Sequence, residues 1–235
     1  MIELTNARLT LIFDGDDTLG ENNGYFELAI DDFIAWLDHA SFTPTEVRAV
    51  IDEIEHANVA VHGCGSVAFD QSLRECTARL QEQDLDEIDL ATVVGFAERI
   101  LGQPMELIAG VEGTLADLSR RHDLVLLTKG RDEEQRLKIE RSGLASRFRH
   151  RFVVPEKGTP VYRAVLGQLG SHPTSTWMTG NAPKSDINPA LAAGLNAVFI
   201  QHEQTWTPEY QELDAVPPGL HRLTLERFTE LLRHF

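Results

Sequence analysis

The chain has 235 residues, of which 42% are hydrophobic, and its formal net charge is −16. This length and apolar content are sufficient for a sizeable folded core, so the composition excludes a disordered chain. The strong acidic balance argues against nucleic acid and anionic membrane surfaces as partners, because both require a basic face on the protein.

The first predicted element is a strand from Leu9 to Phe13, continuously apolar apart from Thr10. Short runs without polar alternation are typical of strands that are covered on both faces in a parallel sheet. The strand ends in Asp14, and further carboxylates follow at Asp16 and Asp17. Because Asp14 and Asp16 are two residues apart, we expect them on the same side of the loop and Asp17 pointing elsewhere. Such a pair can bind a divalent cation, or act as nucleophile and general acid/base.

The stretch from 20 to 103 contains four amphipathic helical patterns and no convincing strand. The second pattern begins with Thr43-Pro44-Thr45-Glu46, which is the sequence of a capping box with proline at the first helical position. A helical block of this length directly after the first strand interrupts the alternation of strands and helices seen in the rest of the chain. We therefore predict an inserted all-α domain over 20–103 and a core domain over 1–19 and 104–235.

Four further strands are predicted in the rest of the chain, at 124–127, 152–154, 177–178 and 197–200. Helical segments separate them, which predicts a doubly wound α/β fold with a parallel sheet. The helix before the last of these strands is predicted to begin with Asn188 as N-cap and Pro189 at the first helical position. Right-handed crossovers bring the strand ends to one edge of the sheet, where open α/β folds bind ligands.

Three of these later strands end in polar groups that complement the two aspartates. Thr128 offers a hydroxyl and is followed by Lys129 and Gly130, a stretch whose backbone N–H groups could hold a phosphoryl oxygen. Lys157 offers a positive charge, which would offset the repulsion between an aspartate nucleophile and an anionic phosphate. The stretch 180–186 returns an amide and a third carboxylate to the same edge. Together these residues predict a single site.

In this order, the strand ends resemble the motifs of the haloacid dehalogenase superfamily of phosphohydrolases. The first motif, an apolar strand followed by DxDxT, matches the stretch from Asp14 to Thr18. The second motif matches Thr128, the lysine motif matches Lys157, and the acidic fourth motif matches 180–186. The resemblance implies a Rossmann-like core with a helical cap inserted after the first motif, which is the position of 20–103.

The resemblance also implies roles for individual residues. Asp14 would be the nucleophile that forms a phosphoaspartate, and Asp16 would protonate the leaving alcohol and then activate water. The transferring phosphoryl group would be held by Thr128 and Lys157, with donors from the backbone near Lys129 and Gly130.

The implied cofactor is Mg²⁺. It would be held by the Asp14 carboxylate, the Asp16 backbone carbonyl and Asp186. Asn181 stands where many members of the superfamily have a second aspartate. Its amide oxygen can accept from a metal-bound water, but the site then carries one fewer negative charge, which implies a lower affinity for magnesium.

More than one reaction remains open on this scaffold. Asp16 favours phosphate ester hydrolysis over dehalogenation, because a halide leaving group needs no acid. A phosphomutase would keep both aspartates. A non-catalytic phosphate-binding or receiver-like regulatory protein is a further alternative, although receivers are much shorter and lack a helical insertion.

The sequence predicts a small phosphorylated metabolite as the ligand, with neither nucleic acid nor membrane as a partner, and it leaves the oligomeric state open. No apolar run approaches the roughly 18 residues that span a bilayer. Cys64 and Cys76 support neither a disulfide framework nor a cysteine-rich zinc site. We therefore expect a soluble cytoplasmic protein.

Overall fold

The computed structural model describes residues 8–80, 86–103, 105–203 and 205–235. The chain divides into two compact units, one formed by Met1–Asn23 with Met105–Phe235 and the other by Gly24–Pro104. Residues 1–7, 104 and 204 of the predicted core domain, and 81–85 of the predicted helical domain, lie outside the described residues. In the described part of the chain, no helix combines the length and the apolar content that crossing a membrane requires.

The first unit is built on a six-stranded sheet in which every neighbouring pair of strands runs parallel. The strands are β1 (Thr10–Phe13), β2 (Asp123–Lys129), β3 (His150–Val154), β4 (Thr176–Gly180), β5 (Asn196–Ile200) and β6 (Arg222–Leu225). Their order across the sheet is β3-β2-β1-β4-β5-β6, so β1 lies in the interior between β2 and β4. The predicted α/β fold with a doubly wound parallel sheet is confirmed.

The described α-helices are α1 (Asn23–Leu37), α2 (Pro44–His62), α3 (Ser66–Leu80), α4 (Glu87–Gly102), α5 (Val111–Arg121), α6 (Asp132–Arg141), α7 (Thr159–Leu169) and α8 (Asn188–Ala192). The first four follow the four amphipathic patterns of the sequence. The last four belong to the unit that contains the sheet.

The apolar run of β1 is buried on both faces of the sheet, as its composition predicts. Leu11 and Phe13 pack into the same cluster as Leu115 of α5. Ile12 packs into a different cluster, together with Tyr162 of α7. This division follows from the alternation of side chains along a strand. The alternation fixes the strand between two helical layers and so fixes the position of the loop that follows it.

One strand and one helix start differ from the sequence prediction. The sequence did not predict β6, a four-residue edge strand in which only Leu225 is fully buried. Asn188 is not an N-cap, because it already has helical dihedrals (φ −62°, ψ −46°) and a π-helical turn over Pro183–Ile187 leads directly into α8. Its side chain instead donates to the Glu212 carbonyl and accepts from the Asp214 N–H. Asn188 therefore anchors the segment that leads to β6.

The chain leaves the sheet-containing unit and returns to it at one place. Gly20 and Leu107 form an antiparallel bridge, and the Glu21 N–H donates to the Glu106 carbonyl at 2.8 Å. A Cβ at Gly20 would lie 2.8 Å from Cε of Met105, so a side chain at position 20 would push the two segments apart. We name these two segments, 20–21 and 105–107, the crossing point.

The unit Gly24–Pro104 has an apolar core of its own. Each of its helices contributes a fully buried side chain, namely Phe33, Ile51, Leu73 and Val93. The predicted capping box at the start of α2 is confirmed, because Thr43 Oγ1 accepts from the Glu46 N–H and the Glu46 carboxylate accepts from the Thr43 N–H. These features give the unit a packed interior independent of the sheet.

Glu55 of α2 is a buried carboxyl group in this unit, and burial raises its pKa from 4.5 to about 7. Between these two pKa values the folded state holds a proton that the unfolded chain has released, so stability falls as the pH rises through this window. We expect Glu55→Gln to raise the free energy of unfolding by up to about 3 kcal/mol at about pH 8. Near pH 4.5 the variant and the parent protein should be almost equally stable.

Chemical denaturation of the full chain at the two pH values checks this expectation. Glu98→Gln on the exposed face of α4 is the matched control, with an expected change below about 0.5 kcal/mol at either pH. A gain for Glu55→Gln that is the same at both pH values would contradict the titration argument.

Candidate active site

The ends of three central strands meet at one edge of the sheet. Phe13 at the end of β1 is paired with Leu126 of β2 and with Thr179 of β4. Asp14 therefore leaves β1 next to the end of β4, and its N–H donates to the Thr179 carbonyl at 3.0 Å, while β2 continues past Leu126 to Lys129. The side chains that the sequence singled out lie at the end of β2 and in the segments that follow β1, β3 and β4.

Asp14, Lys157 and Asp186 form a buried cluster at this edge. The Lys157 ammonium donates to Asp14 Oδ1 at 2.7 Å and to Asp186 Oδ1 at 2.5 Å. The side chain of Lys157 is 1% exposed, and those of Asp14 and Asp186 are 9% and 0% exposed. Three residues that are far apart in the sequence thus form one contact, in which a lysine ammonium binds two carboxylates. This contact is shielded from water.

The charges in this cluster are not balanced, because one ammonium faces two carboxylates. Burial, together with the neighbouring Asp186, raises the pKa of Asp14 to about 7, against the opposing effect of Lys157. Burial also raises the pKa of Asp186. Burial alone would lower the pKa of Lys157, but the two carboxylates raise it well above its usual value, so the lysine stays charged. The cluster therefore has capacity for further positive charge.

Asp186 is fixed by the π-helical turn that follows β4. Its Oδ2 accepts from the Ala182 N–H at 3.1 Å, while Oδ1 faces Lys157. The Tyr162 hydroxyl donates to the Ser185 carbonyl at 2.8 Å and holds the same turn from α7. Gly180 at the end of β4 leaves room for the carboxyl group, since a Cβ there would lie 2.7 Å from Asp186 Cβ.

Asn181 lies in the same buried edge, but its amide oxygen has a protein partner. Thr18 Oγ1 donates to Asn181 Oδ1 at 3.1 Å. This contact ties the loop after β1 to the loop after β4. Asn181 thus has a structural contact in addition to the metal-site role that the resemblance implies.

Asp16 contacts α6. Its carboxylate accepts from Gln135 Nε2 at 2.9 Å and from Lys138 Nζ at 3.1 Å. The side chain is 23% exposed, so it is more accessible to solvent than that of Asp14. The sequence analysis missed both α6 residues, although their spacing of three on a predicted helix after Thr128 was the available signal.

Asp17 has the separate position that its sequence spacing predicts. It has a positive φ of 57°, and its Oδ1 accepts from the N–H groups of Asn22 and Asn23 at the start of α1. Asp17 therefore caps the segment that leads into α1. Its ligand atom also lies within 4.8 Å of those of Glu21 and His202, a grouping of a kind that can hold a metal ion.

Thr128 and Lys129, predicted to follow the second strand, are the last two residues of β2, and Gly130 comes directly after it. A Cβ at Gly15 would lie 3.2 Å from Thr128 Oγ1, so the hydroxyl packs against the backbone between Asp14 and Asp16. The Lys129 ammonium pairs with the buried Glu209 and lies 3.6 Å from Glu156.

Gly130 also has a protein partner, because its N–H donates to the Val154 carbonyl at 2.9 Å. The Gly130 N–H, one of the donors predicted near Lys129, is thus bonded within the protein, and the Lys129 side chain pairs with Glu209. The sequence analysis missed Glu209, the partner of Lys129, since a lone glutamate in a loop carries no spacing signal.

Comparison with known proteins gives a consistent fold. No protein-family profile matches the sequence. No curated protein matches it either. Among solved structures, a haloacid dehalogenase-like family hydrolase from Xanthomonas campestris is 28% identical, with a TM-score of 0.80 over 97% of this chain and 96% of that one.

Two more distant structures share the fold. The putative HAD-hydrolase YfnB from Bacillus subtilis, bound to magnesium, is 19% identical, with a TM-score of 0.66 over 97% of each chain. A predicted phosphoglycolate phosphatase from Haemophilus somnus is 16% identical, with a TM-score of 0.65 over 98% of this chain and 99% of that one. Structures of haloacid dehalogenases match as well. The resemblance to the haloacid dehalogenase superfamily drawn from the sequence is confirmed.

Proposed function

We propose that this chain, which shares the fold of a haloacid dehalogenase-like hydrolase from Xanthomonas campestris, is a magnesium-dependent phosphatase of a small phosphorylated metabolite. The observation that carries the proposal is the buried contact of Lys157 with both Asp14 and Asp186. An ammonium between two carboxylates is suited to bringing an anionic phosphate next to an aspartate nucleophile.

The residues at this edge fit a magnesium ion. Asp14 and Asp186 supply carboxylate oxygens, which are hard ligands of the kind that Mg²⁺ prefers. Both carboxylates already contact one cation, the Lys157 ammonium. With both carboxylates ionised, Asp14, Asp186 and the Lys157 ammonium carry a net charge of about −1. This charge favours the binding of a further cation. Asp14, Asp186 and the backbone carbonyl of Asp16 would hold the ion, with Asn181 as a partner of its bound water. When bound, it would polarise the phosphoryl oxygens and neutralise their charge.

The proposed reaction has two steps. In the first, the Asp14 carboxylate attacks phosphorus, the P–O bond to the substrate alcohol breaks, and Asp16 gives its proton to the leaving oxygen. In the second, Asp16 takes a proton from water and the water oxygen attacks the phosphorus of the phosphoaspartate. The bond between phosphorus and the Asp14 oxygen breaks, phosphate departs, and the Asp14 carboxylate is regenerated. Lys157 holds the transferring group in both steps. The Thr128 hydroxyl would join it by turning its single proton from Gln135 Oε1 to a phosphoryl oxygen.

Asp16 favours a phosphatase over a dehalogenase. An alkoxide leaving group needs a proton and a halide does not, so a second carboxylate near the nucleophile serves only the first reaction. The phosphoglycolate phosphatase fold match is compatible with this choice, and the dehalogenase matches are the alternative to be tested. We further propose that Gly24–Pro104 acts as a cap domain that selects the substrate.

The proposal is tested by incubating the purified chain with p-nitrophenyl phosphate and with a panel of small phosphate esters, with Mg²⁺ or with EDTA. We expect phosphate release that depends on Mg²⁺ and that is lost in EDTA. A parallel incubation with 2-haloacids measures halide release. Halide release without phosphate release would replace the phosphatase assignment by a dehalogenase, and binding of phosphate without turnover would favour a regulatory protein.

The position of Asp186 gives a separate prediction on magnesium affinity. Gly180→Ala would place a Cβ against the Asp186 carboxyl group and displace it from Lys157. Since one of two carboxylate ligands is lost, we expect magnesium to bind at least about tenfold more weakly in calorimetric titration. Gly167→Ala on α7 is the control, because nothing lies within 4 Å of the added Cβ there. Equal affinity in the two variants would remove Asp186 from the metal site.

A further inference from the structure

Both carboxylate oxygens of Asp16 have a partner on α6. Gln135 Nε2 donates to Oδ2 at 2.9 Å, and Lys138 Nζ donates to Oδ1 at 3.1 Å. Gln135 and Lys138 are three residues apart, which places them on one face of the helix. The carboxyl group is thus contacted from two directions by a single rigid element.

Gln135 is itself fixed from the side of the sheet. Thr128 Oγ1 donates to Gln135 Oε1 at 3.2 Å, which directs the amide nitrogen at Asp16. The residue is 6% exposed. Its approach requires Gly130, since a Cβ there would lie 3.1 Å from Gln135 Nε2, and the φ of +134° at this glycine is one that other residues rarely adopt. The amide therefore links Thr128 to Asp16 through a constrained path.

Lys138 is fixed by a second contact. Its ammonium also donates to Asn22 Oδ1 at 2.7 Å. The side chains of Lys138 and Asp16 are 20% and 23% exposed. An ion pair this accessible to water adds little to stability. The main effect of the ion pair between Lys138 and Asp16 is therefore to limit the orientations of the Asp16 carboxyl group.

We propose that Gln135 and Lys138 are positioning residues that hold the Asp16 carboxyl group where it exchanges protons with the leaving oxygen and with water. The inference rests on the proposed phosphatase function. A general acid must lie within hydrogen-bond reach of the atom that it protonates. A displacement of about 1 Å can cost about 10²-fold in rate. Asp16 follows a strand on a loop, so its rotamer is set by these two contacts.

Single-turnover kinetics with two leaving groups test the proposal. In Lys138→Met and in Gln135→Ala, we expect alcohol release from a simple alkyl phosphate to slow about 30-fold. Release of nitrophenolate from p-nitrophenyl phosphate should slow less than about threefold, because that leaving group departs without a proton. Lys138→Arg should restore most of the alkyl phosphate rate, and magnesium affinity should stay unchanged in all variants.

Arg136→Met is the matched control, because it removes a positive charge from the same helix at a residue that pairs with Asp132 in solvent. Arg136→Met should change neither the rate of alcohol release nor the rate of nitrophenolate release. An equal loss with both leaving groups in Lys138→Met and Gln135→Ala, or no loss with either, would overturn the proposal.

Crystal structures of the parent protein and of the two variants decide the same question without turnover. We expect one Asp16 conformer facing α6 in the parent protein, and a displaced or multiple conformer in each variant. An unchanged Asp16 conformer in both variants would overturn the positioning role even if the parent protein were active. If the parent protein hydrolysed no phosphate ester, the proposed function would be wrong. These structures would still show whether Gln135 and Lys138 fix the Asp16 carboxyl group.

Discussion

Asp14→Asn is expected to lower phosphatase turnover by at least about 10⁴-fold, because an amide cannot act as the nucleophile that forms the covalent intermediate. The substitution keeps the size and shape of the side chain. The variant should fold, since the pKa of Asp14 is raised to about 7 and the ionised carboxylate is therefore costly to bury. Phosphate release and thermal unfolding, measured on the same preparation, separate the two effects.

Asp17→Asn is the matched control for this experiment. Asp17 accepts backbone N–H groups through Oδ1, and an asparagine oxygen can accept the same bonds. We therefore expect turnover within about threefold of the parent protein. Full turnover in Asp14→Asn would exclude Asp14 as the nucleophile and with it the two-step mechanism.

Lys157→Met is the second substitution with a large expected effect. It leaves Asp14 and Asp186 buried side by side without their shared cation. Removing one partner of a buried ion pair costs about 3–5 kcal/mol, and we expect a loss of this size in the free energy of unfolding. Turnover should fall by about 10³-fold or more, because the charge that offsets the repulsion of the phosphate is lost.

Two further measurements make this prediction specific. Lys157→Met/Asp186→Asn should recover at least about half of the lost stability, because only one buried carboxylate remains. Added Mg²⁺ should stabilise Lys157→Met more than it stabilises the double variant, which lacks one of the proposed ligands. Denaturant unfolding with and without Mg²⁺ tests both statements. A Lys157→Met variant as stable as the parent protein would contradict the charge argument.

The sequence predicted those features that depend on local composition. The run from Leu9 to Phe13 has to be covered on both faces, and the structure covers it. The same reasoning located the later strands, and parallel pairing then brings Asp14, Thr128 and Asp186 to one edge. The contact of Lys157 with two carboxylates follows from this edge, but its geometry depends on loops that the sequence does not specify.

The features that were missed depend on tertiary contacts. Asn188 has the sequence of an N-cap, but the π-helical turn before it already satisfies the helix start, and its side chain serves another loop. Glu209, the buried partner of the Lys129 side chain, was also not predicted, because it is distant from Lys129 in the sequence. In both cases the sequence pattern indicates a polar side chain but not the partner of that side chain, which comes from a distant part of the chain.

The crossing point has a consequence for the origin of the chain. Gly20 and Leu107 lie opposite each other in an antiparallel bridge whose hydrogen bonds join Glu21 to Glu106 and Ile108 to Leu19. The intervening segment therefore begins and ends at adjacent positions on the sheet-containing unit. Closing a chain over adjacent ends has an entropic cost that grows only slowly with length. Insertions with this arrangement are tolerated at surface turns without rebuilding the host. A different helical module, or a short turn, could therefore replace the present one in a recombined gene while the buried lysine cluster was inherited intact.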